Sequence, residues 1–196
     1  MKGVIESFEF LKGVPVAKYF VVKSEKDLSK IGFPCYLKAD VVGHKTELGA
    51  VLRCEDLKRA KKNFAVLKKR FKDNKIIVQE TCRGIEMIVG IKEDKVFGKM
   101  VVVGFGGIFA EVKKDVSFRA LPVSRAEIKN MVSELEGFEV FSARGKKYGL
   151  ERFYTVVEMI SHLAVSKDVK EMDLNPVILC EGCDCATVVD ARVSLI

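Results

Sequence analysis

Two histidines occur in the 196 residues, and one of them, His44, sits in the glycine-flanked stretch VVGHKTELG, residues 41–49. A neutral, exposed imidazole nitrogen can take up a phosphoryl group. The charge of adjacent Lys45 would favour an incoming phosphate and keep the ring neutral. Taken by spacing alone, a surface histidine in a loop suits the same residues better. A second set lies in EMDLNPVIL and VVDARV. Magnesium takes hard oxygen ligands, commonly one or two carboxylates or amides beside substrate phosphates. Alternate residues of a strand face one side, so Asp173 and Asn175 share a face, and Asp190 on a returning strand can lie opposite. The metal-free reading is a bend at Asn175-Pro176 with a solvated carboxylate at Asp190. Third, Gly104, Gly106 and Gly107 follow an apolar strand in VGFGGIFAEVKKD, where bare backbone N–H groups could approach a phosphate. The pattern is neither a P-loop nor a dinucleotide fingerprint.

The elements that must position these groups alternate irregularly. A short helix is expected at 4–11, a strand at 15–22 and a one-to-two-turn helix at 24–32 with Ser24 as N-cap. A strand at 33–40 carries Lys38, and the strand AVLR (50–53) follows the His44 loop. Leu57, Ala60, Phe64, Leu67 and Phe71 recur every three or four residues, which predicts an amphipathic helix over 57–72. Its other face is almost wholly Lys and Arg, and a solvated face is the ordinary reading. Strands follow at 76–80, in IEMIVGIK and in VFGKMVVVG. Two further helices are expected around 125–136 and 150–165, then a terminal antiparallel hairpin. The pattern is mixed α+β, not strict βαβ alternation.

A hydrophobic share of 48% against 31% charged residues is an ordinary soluble balance. The longest apolar run, Met100 to Ala110, is broken by glycines and ends at Glu111, too short to cross a bilayer. Glu6 and Glu9 interrupt what a secretory signal would keep apolar. The expected location is cytoplasmic, and of the six cysteines Cys35, Cys54 and Cys82, in core-like contexts, read as reduced, buried thiols. The cluster CEGCDC (180–185) has metal-like spacing but lacks a second ligand pair, so a zinc or iron–sulfur site is disfavoured. His162 reads as a surface or satisfied helix histidine. The net charge of +7 favours anionic partners without choosing among them.

Taken in order, Lys38, GHKTELGAV, VQETCRGIEMIVG, VGFGGIFAEVKKDVSFRALPVS, EMDLNPV and VVDARV resemble the ATP-grasp domain of ADP-forming acetate–CoA ligases, relatives of the succinyl-CoA synthetase β subunit. The resemblance runs from about Val14 to the C-terminus. It implies a single ATP-grasp domain over 1–196, with two α+β lobes clasping a nucleotide. The lobes would be 14–80 and 81–196, a helix in 1–13 going with the second.

The resemblance also implies the residue roles. Lys38, Gly106, Gly107 and Arg192 would meet nucleotide phosphates, and the segment Gln79, Glu80, Thr81 and Cys82 would be a hinge whose backbone reads adenine. Glu86 would accept from the ribose hydroxyls, and Asn175 and Asp190, with Asp173 beside them, would hold Mg2+. His44 matches the family's phosphorylated histidine. The implied activity is the reversible conversion of acyl-CoA, ADP and phosphate into acid, CoA and ATP. The implied partner is an α subunit carrying the CoA-binding and CoA-ligase domains, in an α2β2 assembly that sets the acyl group. The alternatives are a nucleotide-binding regulatory subunit without catalysis and a basic nucleic-acid-binding protein. The second leaves the ordered motifs unexplained, so neither nucleic acid nor membrane is expected as a partner.

Overall fold

The apolar stripe of the basic helix sets the first core. α2 (Leu57–Arg70; α1 is Val4–Phe10) starts at Asp56, whose carboxylate accepts the Arg59 N–H at 2.7 Å. Such a cap contributes about 1 kcal/mol. Ala60, Phe64 and Leu67 are buried, whereas Leu57, first in the predicted stripe, is exposed. The helix stops two residues before the expected end because Phe71 leaves helical geometry as the C-cap.

The computed structural model describes residues 2–42, 48–107 and 115–196. They form two units, one of Gly3–Ile5 and Ala17–Thr81, the other of Met1–Lys2, Glu6–Val16 and Cys82–Ile196.

In the smaller unit an antiparallel sheet runs in the order β1 (Tyr19–Val21), β4 (Ile76–Glu80), β2 (Cys35–Ala39), β3 (Val51–Cys54). Cys35 and Leu37 of β2, Ile76 and Val78 of β4 and Cys54 of β3 pack with the α2 stripe into one core. Strand alternation therefore puts Tyr36, Lys38, Ile77 and Gln79 on the face away from α2. The register sets Gln79 directly between Tyr19 and Tyr36 on its neighbours. β2 and β3 are joined by the stretch that contains His44. Its base is closed by the Ala39 N–H donating to the Ala50 carbonyl at 2.8 Å.

Two expectations need correcting here. The strand predicted for 15–22 is only Tyr19–Val21. Pro15 has no N–H to give, its carbonyl accepts from Val188, and Val16 bridges to Val188 in the larger unit. The predicted helix at 24–32 is a 3-10 helix, Glu25–Lys30. Its N-terminus is held by the Asp27 carboxylate, which accepts the Lys23 and Ser24 N–H groups at 2.9 Å. Lys30 first, then those N–H groups, holds that carboxyl below the ordinary carboxylate range.

In the larger unit a six-stranded antiparallel sheet has the order β10 (Ala191–Leu195), β8 (Val169–Cys180), β5 (Gly84–Asp94), β6 (Gly98–Phe105), β7 (Val116–Ala120), and β9 (Ala186–Val188) also pairs with β8. Met87, Val89, Val101, Val103, Met172, Leu174, Val177 and Val193 are fully buried on one face. That face is covered by α3 (Arg125–Ser133) and α4 (Leu150–Ser166), which bring in Ile128, Met131, Phe153, Val157 and Ile160. Arg119 of β7 ties the sheet to α3 by ion pairs to Glu127 and Glu134, and Arg119 holds the Glu134 carboxyl below its ordinary range.

The antiparallel hairpin predicted at the end of the chain is present, β8 pairing with both β9 and β10, and its first strand lies inside the sheet with β5 on its other side. Against β5 the register slips by one residue between Met87 and Val89, opposite Asn175-Pro176. This bulge lets Met172 and Leu174 before it, and Val177 and Leu179 after it, all face the helices. Among the described residues no helix is long and apolar enough to cross a membrane.

Candidate functional site

Because the helices take one face of the larger sheet, the other face is left for polar residues. Asp173 stands across from Arg192, and the Asn175 N–H donates to the Asp190 carbonyl at 3.2 Å, so Asn175 lies across from Asp190. The buried neighbours Met172, Leu174, Ala191 and Val193 point the opposite way. Two carboxylates, an amide and a guanidinium therefore share one patch. Its floor on the β5 side is Gly90, which pairs with Asp173 and has no side chain to crowd it. Asp190 is oriented by its own loop, Oδ1 accepting the Ala191 N–H at 2.9 Å.

Glu86 occupies the same face of β5. Its carbonyl accepts the Gly106 N–H at 2.7 Å. Gly107 has φ +61°, and a Cβ there would collide with the Glu86 carboxylate. These two glycines wall a cavity of about 560 Å³ with Glu86, Phe105, Asp115 and Gly137. The Asp115 carboxylate accepts the N–H groups of Glu136 and Gly137 at 3.0 and 2.9 Å, which fixes the chain beyond α3 against the cavity. Phe105 stacks on Phe141 at 5.5 Å between ring centres. Asp115 closes the stretch VGFGGIFAEVKKD but was given no role there, and Glu136 and Gly137 drew no attention in the sequence. The bonds span about twenty residues, which the motif around Asp115 does not reveal, and only the paired glycines hinted at a cavity.

In the smaller unit Lys38 and Gln79 lie on the face away from α2, both buried, at 4% and 0% exposure. Among the described residues neither polar atom of the Gln79 amide has a hydrogen-bond partner. Leaving a buried amide unsatisfied costs about 1–3 kcal/mol, a cost that a ligand could relieve. The residues after it are fixed from both sides. Glu80 exchanges bonds with Lys18, its N–H to the Lys18 carbonyl at 3.0 Å and its Oε1 from the Lys18 N–H at 2.8 Å. Thr81 Oγ1 donates to the Pro34 carbonyl at 2.8 Å. Cys82, the first residue of the Cys82–Ile196 segment of the larger unit, is half-buried.

The structure thus brings Glu86, Gly106 and Gly107 together, brings Asp173, Asn175, Asp190 and Arg192 together, and sets Lys38 beside the strand of Gln79. His44 lies outside the described residues. The CEGCDC cluster is the β8–β9 tip, where Cys183 and Cys185 are exposed and Cys180 is half-buried. Among the described residues no three His, Cys, Asp or Glu side chains converge as a metal site. His162 is exposed on α4.

Comparison with known proteins adds that the ATP-grasp domain profile matches residues 5–195. The chain belongs to the ATP-grasp family. Within it, the chain is a homologue of the β subunit of ADP-forming acid–CoA ligases. It is 32% identical to subunit beta of acetate–CoA ligase (ADP-forming) I of Pyrococcus furiosus, over 97% of this chain and 90% of that one. Other relatives are longer, and this chain spans 29% of the acetate–CoA ligases of Archaeoglobus fulgidus and Methanocaldococcus jannaschii.

Among solved ATP-grasp structures, the dinucleotide forming acetyl-coenzyme A synthetase 1 of Ca. Korarchaeum cryptofilum, in complex with coenzyme A and Ca-AMPCP, superposes with a TM-score of 0.86. The identity is 30%, with 99% of this chain and 93% of that chain covered. A second structure of that enzyme, holding coenzyme A and Mg-AMPPCP with its phosphohistidine segment pointing towards the nucleotide binding site, gives a TM-score of 0.83. There the identity is 29%, over 100% of this chain and 93% of that chain.

Proposed function

We propose that this ATP-grasp chain is the nucleotide-binding β subunit of an ADP-forming acyl-CoA synthetase, and that His44 exchanges a phosphoryl group with ADP and ATP. The observation that carries the reading is the patch of Asp173, Asn175 and Asp190 beside Arg192, in a chain related throughout to such β subunits.

The donors of that patch are carboxylate and amide oxygens on a polar sheet face, the ligand class that Mg2+ takes. The residues therefore fit the ion, which Asn175 and Asp190 would hold with Asp173 near by. When bound, it would neutralise charge on the nucleotide phosphates. Arg192, in the same patch, and Lys38, a largely dehydrated cation, would stabilise the charge that shifts during transfer. Glu86 would accept from the ribose hydroxyls, with the Gly106-Gly107 wall keeping the approach narrow. The hinge from Gln79 to Cys82 would present its backbone to the adenine.

In the transfer step the neutral His44 nitrogen attacks the terminal phosphorus of ATP, the P–O bond to ADP breaks, and N-phosphohistidine forms. The reverse step makes ATP from ADP. The companion α subunit, carrying the CoA-binding and CoA-ligase domains in an α2β2 assembly, would supply the phosphoryl group from acyl phosphate and set the acyl group.

The test is to incubate the purified chain with γ-labelled ATP and magnesium. The reading expects label that is acid-labile and base-stable, as phosphorus on imidazole nitrogen is, and its loss in His44→Ala. Unlabelled wild-type chain that still binds ATP would instead support a non-catalytic nucleotide-binding subunit.

A further inference from the structure

The chain's charge is concentrated in one element. α2 holds seven basic residues between Lys58 and Arg70 and no acidic one, which equals the net charge of the whole chain, +7. Acids and bases elsewhere therefore balance. Like charges three and four residues apart repel and weaken a helix. Here burial of Ala60, Phe64 and Leu67 offsets that repulsion, and Lys61 finds Glu25 at 3.1 Å.

The outward arc is not purely ionic. Leu57 and Val66 flank it, 39% and 48% exposed, while Lys58, Lys62 and Lys69 fall on a single stripe at helical spacing. We propose that this face of α2 docks an acidic surface of the partner subunit, a proposal that rests on the β-subunit reading above.

Three arguments select that occupant. The face is a convex helix, and the cavity near Glu86 is lined by residues of the larger unit, so the fitting anion is an extended surface. A second copy of this chain would set cation against cation, a juxtaposition that costs affinity. A nucleic acid backbone would reward the lysines but leave Leu57 and Val66 without partners, and the arc has no aromatic side chain on which a base could stack. An acidic protein surface with apolar residues at its rim satisfies both kinds of side chain.

The experiment measures association of the full chain with its partner subunit by stopped-flow at several salt concentrations. For wild type the association rate should fall steeply with salt. Lys58→Glu, Lys62→Glu and Lys69→Glu combined should lower it about tenfold or more at low salt. A control with Lys92→Glu, Lys95→Glu and Lys170→Glu, of equal net charge, should stay within about twofold. Val66→Ser should raise the dissociation rate and leave association unchanged. Labelling of the isolated chain by γ-labelled ATP should be the same in all variants, which shows that each is folded.

Equal association rates in wild type and the α2 triple variant overturn the docking surface and leave the β-subunit reading standing. No association of wild type with the partner overturns both. Binding to duplex DNA that is tighter than to the partner, and insensitive to Val66→Ser, reassigns the face to nucleic acid and overturns the proposal.

Discussion

Gln79 is fully buried with an amide that bonds to none of the described residues, and it sits between Tyr19 and Tyr36 on the sheet face that also carries Lys38. If that amide is kept for a ligand, Gln79→Met should stabilise the ligand-free chain by about 1 kcal/mol, because a desolvated polar group is removed. The same change should weaken ATP binding several-fold. Urea unfolding and calorimetric titration read the two effects, and a loss of stability without loss of affinity would make the amide structural.

The thiols make a second prediction. Burial, then the facing Cys54, pushes Cys35 up to about 12, and burial raises Cys54 as well. An unfolded thiol titrates near 9.0. The stabilisation from keeping Cys35 protonated is therefore complete below that pH and is lost as pH rises through 9 towards 12. Melting temperature should fall over that window, less steeply in Cys35→Ala. Iodoacetamide at pH 8 should label Cys183 and leave Cys35 untouched until unfolding, as mass mapping would read. At this scale Asn175 and Asp190 were candidates from local spacing, whereas Lys38 and Glu86 came only with the family resemblance. The role of Asp115 was not legible, although the residue ends a quoted motif, because it depends on Glu136 and Gly137, brought in by folding.

Periodicity was enough for α2, α4 and the long strands, where one apolar face faces a core throughout. It failed at 15–22, where β-branched and aromatic content suggested a continuous strand although the backbone bonds of Pro15 and Tyr19 go to different sheets. It also could not foresee the bulge at Asn175-Pro176, since only the pairing with β5 reveals the extra residue. Glycine placement gives the test proper to elements. Gly107, at φ +61° against Glu86, should lose about 1–2 kcal/mol on change to Ala. Gly90→Ala should be nearly neutral, because its new methyl would meet neighbours at an ordinary 3.7 Å. Chemical denaturation distinguishes them, and equal losses would refute the wall of glycines around Glu86.

Each unit has its own sheet, its own covering helices and its own core, so each has its own stability. Leu67→Ala, in the core under α2, should cost about 2–5 kcal/mol and raise hydrogen exchange through β2, β3 and β4. Ile160→Ala, fully buried on α4, should do the same through β5 and β8. Exchange rising equally everywhere in both variants would mean one cooperative block. The mixed α+β class and the order of motifs were legible along the chain. The concentration of charge in α2 was legible too, but its meaning depends on the helix having one face committed to the core.

The closed base of the β2–β3 connection limits distance. The Ala39 N–H and the Ala50 carbonyl are held together, so both ends of the segment that carries His44 start from one place. Chain length alone keeps its Cα within roughly 17 Å of that anchor, five fully extended residues. On the proposed function, the Cα positions that His44 takes at its donor and acceptor stations then cannot be more than about 35 Å apart. A longer relay would need the whole small sheet to travel, and lengthening the tether with glycines should relax that limit.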